Sequence, residues 1–253
     1  MRGGPVHVAA GPRDEEFVRA LTAGAEKLDI ALGPSEVERL AAMYDALVEW
    51  NERVNLTSVV EPRAAAIRHV VDSLTCVLAG GFPEAHSCVD VGSGAGFPGL
   101  PLAIHCPNVE MTLVESVAKK TSFLEYVAGL LGLPNVRIVQ SRAEELGRDE
   151  TYREGFDIAV SRGVADLAVL LEYCLPLVRV GGRFIAMKGP DVADEISRAG
   201  AALRELGGRV SRVLGVELPE DMGKHTLVLV EKVSPCPARY PRRAGVPAKR
   251  PIS

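Results

Sequence analysis

The chain of 253 residues has few aromatic side chains, no long apolar run and no pattern of paired cysteines. A membrane-spanning helix needs roughly 18 or more consecutive apolar residues. Even the most apolar stretch, 167–180, is interrupted by Glu172, Pro176 and Arg179. The N-terminal stretch is charged at 13–16 and lacks the apolar core of a signal peptide. These absences argue against a membrane protein and against secretion.

Cysteine spacing and charge exclude further classes of protein. Five scattered cysteines without a C-x-x-C pair predict reduced thiols in a cytoplasmic protein. His105, His225 and the cysteines lack the spacing of metal ligands, so no metal is predicted. A net charge of −4 argues against a protein that coats nucleic acid indiscriminately, so an RNA partner would require a local basic patch.

The segment 88–99 holds a short β-branched run, an acid at Asp90 and glycines at Gly92, Gly94 and Gly96. Glycines permit positive φ and let a ligand approach backbone N–H groups without meeting a Cβ. The segment therefore predicts a buried strand that ends in a cofactor-binding loop. Phenylalanine occupies the position where a dinucleotide fingerprint requires its third glycine.

A second acid follows at the expected distance from this loop. The strand-like run 111–115 ends at Glu115, 19 residues after Gly96, and an acid at about this separation typically binds ribose hydroxyls. Loop and acid together favour S-adenosylmethionine (AdoMet). The alternatives are a nicotinamide or flavin nucleotide, or a nucleotide-type fold without a ligand.

The chain divides into three zones, of which the first, residues 1–83, has helical patterns. Residues 1–30 are expected to form a flexible extension. Ser35 and Glu38 predict a capping box for a helix with one apolar stripe. A further helix is predicted over 62–78, beginning at a proline and ending before two glycines.

Strands and helices alternate through the second zone, residues 84–233, which predicts an α/β fold with a parallel sheet covered on both faces. Strands are expected near 88–91, 109–114, 136–140, 156–161 and 183–187. The runs 209–217 and 226–231 predict an antiparallel edge hairpin, the usual end of a Rossmann-like class I methyltransferase sheet. The third zone, 234–253, has five prolines, five basic residues and no acid. It is expected to be an extended arm.

Several ordered motifs resemble one family. They are Trp50-Asn51, Asn55-Leu56-Thr57, Arg68-His69-x-x-Asp72-Ser73, the loop 90–99, Gln140–Glu145, Phe156-Asp157, Ser161-Arg162, Lys188-Gly189 and Tyr240–Pro247. In this combination the chain resembles the bacterial small-subunit ribosomal RNA guanine-N7 methyltransferases, the RsmG or GidB (glucose-inhibited division protein B) family. The resemblance covers about Glu36 to Ser253. It implies methyl transfer from AdoMet to one guanine in the decoding-region loop of 16S rRNA.

The resemblance also implies residue roles. Cofactor contacts are expected from Gly92, Phe97, Ala143, Glu144 and Arg162. The other loop residues Asp90, Gly94 and Gly96, together with Glu115, complete the predicted cofactor site. Asp90 has the alternative role of accepting hydrogen bonds from the glycine loop, and Glu144 that of an acid at a helix N-terminus.

Candidates on the substrate side are polar residues from the helical zone and from strand ends. They are Asn51, Asn55, Arg68, His69, Asp72, Arg162 and Lys188. Spacing alone also allows a simple Arg68–Asp72 ion pair on the helix surface.

The motifs of two other methylation chemistries are absent. Methylation of an exocyclic amino group commonly uses an Asn/Asp-Pro-Pro-aromatic tetrad, and Ser161-Arg162-Gly163-Val164 occupies that position. Ring-carbon methylation needs a cysteine nucleophile, whereas Pro235-Cys236 lies in the tail. Guanine N7 carries no proton, so its methylation needs no general base.

RNA binding requires basic residues near the pocket. The candidates are Lys119, Lys120, Arg239, Arg242, Arg243, Lys249 and Arg250, with 16S rRNA or the small ribosomal subunit as the partner. A methyltransferase of another RNA or of a small molecule, and a non-catalytic RNA- or nucleotide-binding assembly factor, are the alternative functions.

Overall fold

The computed structural model describes residues 12–253 and centres on one seven-stranded sheet. The strands are β1 (Ser87–Val91), β2 (Glu110–Glu115), β3 (Val136–Gln140), β4 (Phe156–Arg162), β5 (Val178–Lys188), β6 (Gly208–Glu217) and β7 (Lys224–Lys232). Their order is β3-β2-β1-β4-β5-β7-β6. Strands β1 to β5 are parallel, and β7 runs antiparallel to both β5 and β6. The predicted α/β class and the edge hairpin are confirmed.

Helices cover both faces of the sheet. They are α1 (Pro12–Lys27), α2 (Pro34–Val54), α3 (Pro62–Ala65), α4 (Asp72–Leu74), α5 (Gly99–His105), α6 (Ala118–Leu130), α7 (Ala143–Leu146), α8 (Leu167–Cys174), α9 (Ala193–Arg198), α10 (Gly200–Leu206) and α11 (Val246–Lys249). A 3₁₀ turn, Pro219–Asp221, joins β6 to β7. Two apolar clusters form the core, one on each face. Because parallel strands are buried on both faces, β1 is buried along nearly all its length.

Helix α1 belongs to the folded helical region. Phe17 and Leu21 are fully buried, and the Phe17 ring stacks on Tyr44 of α2 with a centroid distance of 4.4 Å. The flexible extension expected for residues 1–30 therefore does not include α1, because apolar burial fixes this helix on α2. Residues 1–11 of that expectation lie outside the described residues.

The capping box of α2 is one step away from the predicted pair, Ser35 and Glu38. Helix α2 begins at Pro34, and the Gly33 N–H donates to Glu36 Oε2 at 2.6 Å. Proline fits the first helical position because its φ is already helical and its missing N–H is not needed there. Pro34 thereby places the cap at Gly33.

The helical segment predicted over 62–78 is present but is not a uniform α-helix. After α3 comes a π-helical stretch, Ala66–Val71, followed by α4 and the 3₁₀ turn Thr75–Ala79. The π-helix has a wider turn than the α-helix, so side-chain spacings across it do not follow the α-helical rule. The segment ends at Gly80, which has a positive φ of 77°.

The C-terminal segment, residues 234–253, differs most from its prediction. It packs on the second apolar cluster, with Cys236 and Tyr240 buried, and it ends in α11. Prolines and basic residues cannot form a core by themselves, but this segment uses the core of the sheet domain. The expected extended arm is therefore a docked segment.

Candidate active site at the carboxyl ends of the strands

The glycine loop after β1 is held by backbone hydrogen bonds to the neighbouring strand. The N–H groups of Gly92 and Ser93 both donate to the carbonyl of Val114 in β2. Gly92 and Gly94 have φ values of 77° and 57°, which side-chain-bearing residues adopt only with strain. The space in front of Gly94 is open, with only Gly92 O within 4 Å of a Cβ built there. The loop thus presents backbone without side chains to the open space beside it.

Gly96 has a packing role instead. A Cβ built on Gly96 would lie 2.3 Å from Leu100 Cδ1 and 3.2 Å from Leu124 Cδ2. Its open face is therefore turned towards α5 and α6, not towards the cleft. Gly96 permits close approach between the loop and these helices.

Asp90 lies beneath the loop and is fully buried. Its Oδ2 accepts a hydrogen bond from the Gly99 N–H at 3.0 Å, while Oδ1 has no partner among the described residues. Of the two roles open to Asp90, the structure thus shows the contact with the glycine loop. Burial raises its pKa to about 7, although the Gly99 bond favours the ionised form.

The raised pKa of Asp90 predicts a loss of stability with rising pH. The folded-state pKa is about 7, compared with an ordinary value of 3.8. The contribution of Asp90 to stability is thus complete below pH 3.8 and is lost as the pH rises through 7. Between pH 5 and pH 8 the wild type should lose roughly 2–3 kcal/mol of unfolding free energy through Asp90, and Asp90→Asn should not show this loss. Urea denaturation at the two pH values measures this difference.

Asp157 provides the matched control for this measurement. Its carboxylate accepts bonds from Arg179, His86 and Ser87, and its pKa is lowered to about 2. A lowered pKa affects stability only as the pH falls towards 2. Asp157→Asn should therefore leave the change between pH 5 and pH 8 as in the wild type. An unaltered pH dependence in Asp90→Asn would contradict the account of Asp90.

Glu115 ends β2 and is 7% exposed. Its Oε2 accepts from Gly94 N–H at 3.0 Å, and its Oε1 accepts from Val117 N–H at 2.8 Å. The carboxylate therefore fixes the glycine loop to the start of α6. Each oxygen retains a lone pair for a further donor, such as a ribose hydroxyl.

Two adjoining cavities of about 390 and 230 Å³ lie along these strand ends. Gly92, Glu115 and Val164 line both. A Cβ on Gly92 would lie 2.6 Å from Val164 Cγ2, so this valine covers the glycine between the two cavities. We call the two together the cleft. A larger groove of about 660 Å³ lies at the amino ends of β1 to β3, whereas ligands of open α/β sheets bind at the carboxyl ends.

The smaller cavity is lined by Ala143 and Glu144, two of the residues that the resemblance implies as cofactor contacts. Glu144 is 4% exposed, and its Oε1 accepts a hydrogen bond from the Gly245 N–H at 2.8 Å. Ala248 of α11 lines the same cavity. The C-terminal segment thus reaches the site through Gly245 and Ala248, whereas the sequence singled out only its basic residues as candidates near the pocket.

The larger cavity leads to an ion-pair cluster at the end of β4. Arg162 Nη1 donates to Asp72 Oδ2 at 2.6 Å, and His225 Nδ1 lies 2.8 Å from Asp72 Oδ1. Asp72 is 7% exposed, and although burial alone would raise its pKa, the contacts with His225 and Arg162 keep that pKa below the ordinary value. Asp72 thereby fixes the position of Arg162.

Phe97 and His69 line the larger cavity beside Arg162. Their rings stack with a centroid distance of 4.7 Å, and the Arg162 guanidinium carbon is 5.2 Å from the Phe97 centroid. Burial, and after it the charge of Arg162, lowers the pKa of His69 to about 4. His69 is therefore neutral at pH 7. Its Nε2 lies 3.1 Å from Val59 O and 3.0 Å from Thr57 Oγ1.

Other predicted substrate residues support the cleft from outside. Asn51 Oδ1 accepts from the Thr57 N–H, and exposed Asn55 adopts the left-handed conformation that ends α2. Lys188 Nζ contacts Ala165 O at 2.7 Å and Glu195 Oε1 at 2.8 Å. These contacts fix the loops that bear the lining residues.

The spacing of Arg68 and Asp72 allowed an ion pair between them, and this interpretation is wrong. Asp72 is directed inward to Arg162 and His225, whereas Arg68 is exposed and its carbonyl accepts from Arg162 Nη1. The π-helical turn between the two residues alters the angle that a four-residue spacing produces. Arg68 still lines a cavity of about 340 Å³ beside the cluster.

Sequence reasoning missed Thr57, Val164 and His225. Thr57 and Val164 lie in loops, and His225 lies on the antiparallel strand β7, far along the chain from Asp72. Thr57 does belong to the motif Asn55-Leu56-Thr57. Val164 occupies the last position of the tetrad Ser161-Arg162-Gly163-Val164, whereas no local pattern points to His225.

The basic candidates for RNA binding fall into two groups. Lys119, Arg243, Lys249 and Arg250 are exposed, and Lys120 lines the larger cavity. Arg239 is paired with Glu205. Arg242 contacts the buried carboxylate of Glu172 through Nε and Nη2. Arg242 is thus committed to the fold.

Three observations concern residues 12–253 as a whole. Within this part of the chain, no three histidine, cysteine or acidic side chains come together as a metal site. Its helices are all too short or too polar to cross a membrane. All five cysteines are free thiols.

Comparison with known proteins matches this fold and cleft to one family. The family described as rRNA small subunit methyltransferase G (GidB) matches residues 36–222. The chain belongs to this family. A family protein from Roseiflexus castenholzii is 47% identical over 238 residues, covering 94% of this chain and 99% of the relative. One from Alkaliphilus metalliredigens is 43% identical over 229 residues, covering 90% and 96%. Both are named ribosomal RNA small subunit methyltransferase G.

Solved structures show the same fold in other methyltransferases. The mitomycin 7-O-methyltransferase MmcR is 16% identical, with a TM-score of 0.55 over 88% of this chain and 69% of that one. A 16S rRNA (adenine(1408)-N(1))-methyltransferase from Catenulisporales acidiphilia, determined with its cosubstrate SAM, is also 16% identical. Its TM-score is 0.51 over 59% of this chain and 86% of that one. The family member described here therefore has a class I methyltransferase fold.

The cofactor of this enzyme is AdoMet, and the cleft fits it. The bare backbone at Gly94 and the open space at Gly163, where a Cβ would meet nothing within 4 Å, leave room for a ligand. The buried Glu115 carboxylate lies where both cavities meet. An elongated ligand with hydroxyl groups at its centre matches this arrangement.

Proposed function

We propose that this enzyme transfers the methyl group of AdoMet directly to N7 of one guanine in the decoding-region loop of 16S rRNA. The observation that carries the proposal is the neutral His69 ring stacked on Phe97 in the larger cavity of a family member. His69 is neutral, and its Nε2 already contacts Val59 and Thr57. Methylation of a nucleobase atom that carries a proton would need a free proton acceptor within reach. Guanine N7 carries no proton, so its methylation needs no such acceptor.

The site residues have distinct roles in this proposal. Gly92, Gly94 and Glu115 bind the middle of the cofactor, and Ala143 with Glu144 frames the adenine. AdoMet supplies a methyl group on a positively charged sulfur. Phe97 and His69 line the larger cavity, which would receive an unstacked base. Catalysis then comes from positioning and from the electrostatics of the cleft.

Charge balance in the cleft supports this assignment. Arg162 is neutralised by Asp72 at 2.6 Å, and the lowered pKa of His69 removes a second positive charge. The pairing with Asp72 lowers the repulsion that Arg162 would otherwise exert on the cationic cofactor and on the positive charge that develops on a methylated guanine. Arg162 keeps free N–H groups beyond its Asp72 contact, so it can also bind a phosphate or carboxylate.

RNA contact is assigned to the exposed cations Arg243, Lys249 and Arg250. Replacing all three with glutamine should weaken RNA binding uniformly. It should also reduce the slope of log K against log salt concentration by the amount that corresponds to up to about three phosphate contacts. Filter binding of 16S rRNA at several salt concentrations measures both. Lys27→Gln with Arg204→Gln, on other helices, is the control pair. An unchanged salt dependence in the triple variant would remove the tail from the RNA interface.

The proposed function is tested by incubating the enzyme with labelled AdoMet and unmodified small ribosomal subunits. Cleavage specific for N7-methylguanosine then locates the label. We expect a single labelled guanine in the decoding-region loop. Label at another base or position would overturn the proposed target. No transfer despite AdoMet binding would favour a small-molecule substrate or a binding factor.

A further inference from the structure

The docked C-terminal segment makes several polar contacts with the rest of the protein, which a solvated tail would not make. Arg153 donates to the carbonyls of Cys236 at 2.8 Å and Tyr240 at 2.7 Å. Arg148 Nε donates to Pro241 O at 2.8 Å. Such bonds fix the backbone of the segment residue by residue, independently of its side chains.

One ion pair anchors the middle of the segment in the core. The Glu172 side chain of α8 is 1% exposed, and Arg242 satisfies it with its backbone N–H at 2.7 Å and its guanidinium at 2.5 Å. A buried carboxylate is costly unless it is fully paired. Anchoring at this site therefore determines where the following residues run.

After this anchor the segment runs to the cleft. The Gly245 N–H donates to Glu144 Oε1, and α11 then places Ala248 in the lining of the smaller cavity. Glu144 is thus engaged by the segment at the same place where it frames that cavity. Gly245 has a φ of 80°, a conformation that favours glycine.

We propose that the C-terminal segment forms the outer wall of the adenine side of the AdoMet site, with Ala248 as the residue that sets its width. The proposal rests on the proposed function of the cleft. Its basis is the Gly245–Glu144 bond together with the presence of Ala143 and Ala248 in the lining of the same cavity. A small side chain at 248 leaves the cavity its volume of about 230 Å³.

The test replaces Ala248 with residues of increasing size. Ala248→Ser should leave the affinity for AdoMet within about twofold, and Ala248→Leu should lower it at least tenfold, which is about 1.4 kcal/mol. Adenosine, which lacks the methionine part, should lose affinity in the same proportion. Isothermal titration calorimetry gives these affinities. Because Ala248 is exposed on α11, thermal denaturation should show equal stability for all variants.

Ala244→Leu is the matched control, since Ala244 is exposed in the same segment and does not line the described cavities. Its affinities should equal those of the wild type. Equal AdoMet affinity in Ala248→Leu and the wild type would overturn the proposal that this segment forms the wall of the site. A wild-type enzyme that binds neither AdoMet nor adenosine would instead overturn the assignment of the cleft. If Ala248→Leu loses rRNA methylation but keeps its AdoMet affinity, the proposed wall of the AdoMet site is also contradicted.

Discussion

Arg162→Ala should lower kcat/KM for methyl transfer to small subunits by about 100- to 1000-fold while leaving the protein folded. Arg162 lies at the end of β4, bonded to Asp72 and beside the Phe97 ring. Its loss removes the positioned guanidinium from the place where cofactor and base meet. Single-turnover methyl transfer with labelled AdoMet measures the change directly.

Arg209→Ala is the control for Arg162. Arg209 forms an exposed pair with Glu231 on the edge hairpin, and exposed pairs contribute at most about 1 kcal/mol. Its activity should match that of the wild type. Arg162→Lys retains the charge towards Asp72 without the planar fork, so it should recover only part of the rate. Full activity in Arg162→Ala would remove this residue from the catalytic centre.

Arg242→Leu should lower the free energy of unfolding by about 3–5 kcal/mol. The substitution leaves the Glu172 carboxylate buried in α8 without its guanidinium partner. The cost comes from the unpaired charge more than from the lost bond. Urea denaturation with a tryptophan fluorescence signal from Trp50 reports it.

The double variant Glu172→Met with Arg242→Leu should recover most of this loss, because replacing both partners with apolar residues removes the buried charge. Arg239→Leu is the matched control from the same segment. Its partner Glu205 and Arg239 itself are largely exposed, so its effect should stay within about 1 kcal/mol. Equal destabilisation by Arg239→Leu and Arg242→Leu would contradict the anchor.

The sheet was predictable because its signals are local. The run 88–91 is apolar except for Asp90 and is followed by glycines at once, so strand, loop and helix all follow from twelve consecutive residues. The same holds for Glu115 at the end of β2. Each residue at a strand end then lies at one edge, because parallel strands end together.

The rest of the site depends on contacts between distant residues. His225 reaches Asp72 from β7, and Gly245 reaches Glu144 across about a hundred residues. Composition predicted a solvated tail, yet paired charges and buried tyrosine determine its position. The α-helical spacing rule failed for Arg68 because it assumes a regular helix.

The π-helical turn at Ala66–Val71 has a consequence for how insertions and deletions act in this chain. A π-turn corresponds to one residue added to an α-helix. Deleting one residue there, such as Val70, would restore a regular helix and leave the residues after it at nearly the same angle relative to α3, because the wider turn accommodates the additional residue. The Asp72 carboxylate would then still be directed towards Arg162 and His225. The same deletion within the regular helix α2 would rotate the residues after it by about 100°, so this turn tolerates a change of length that an α-helix does not.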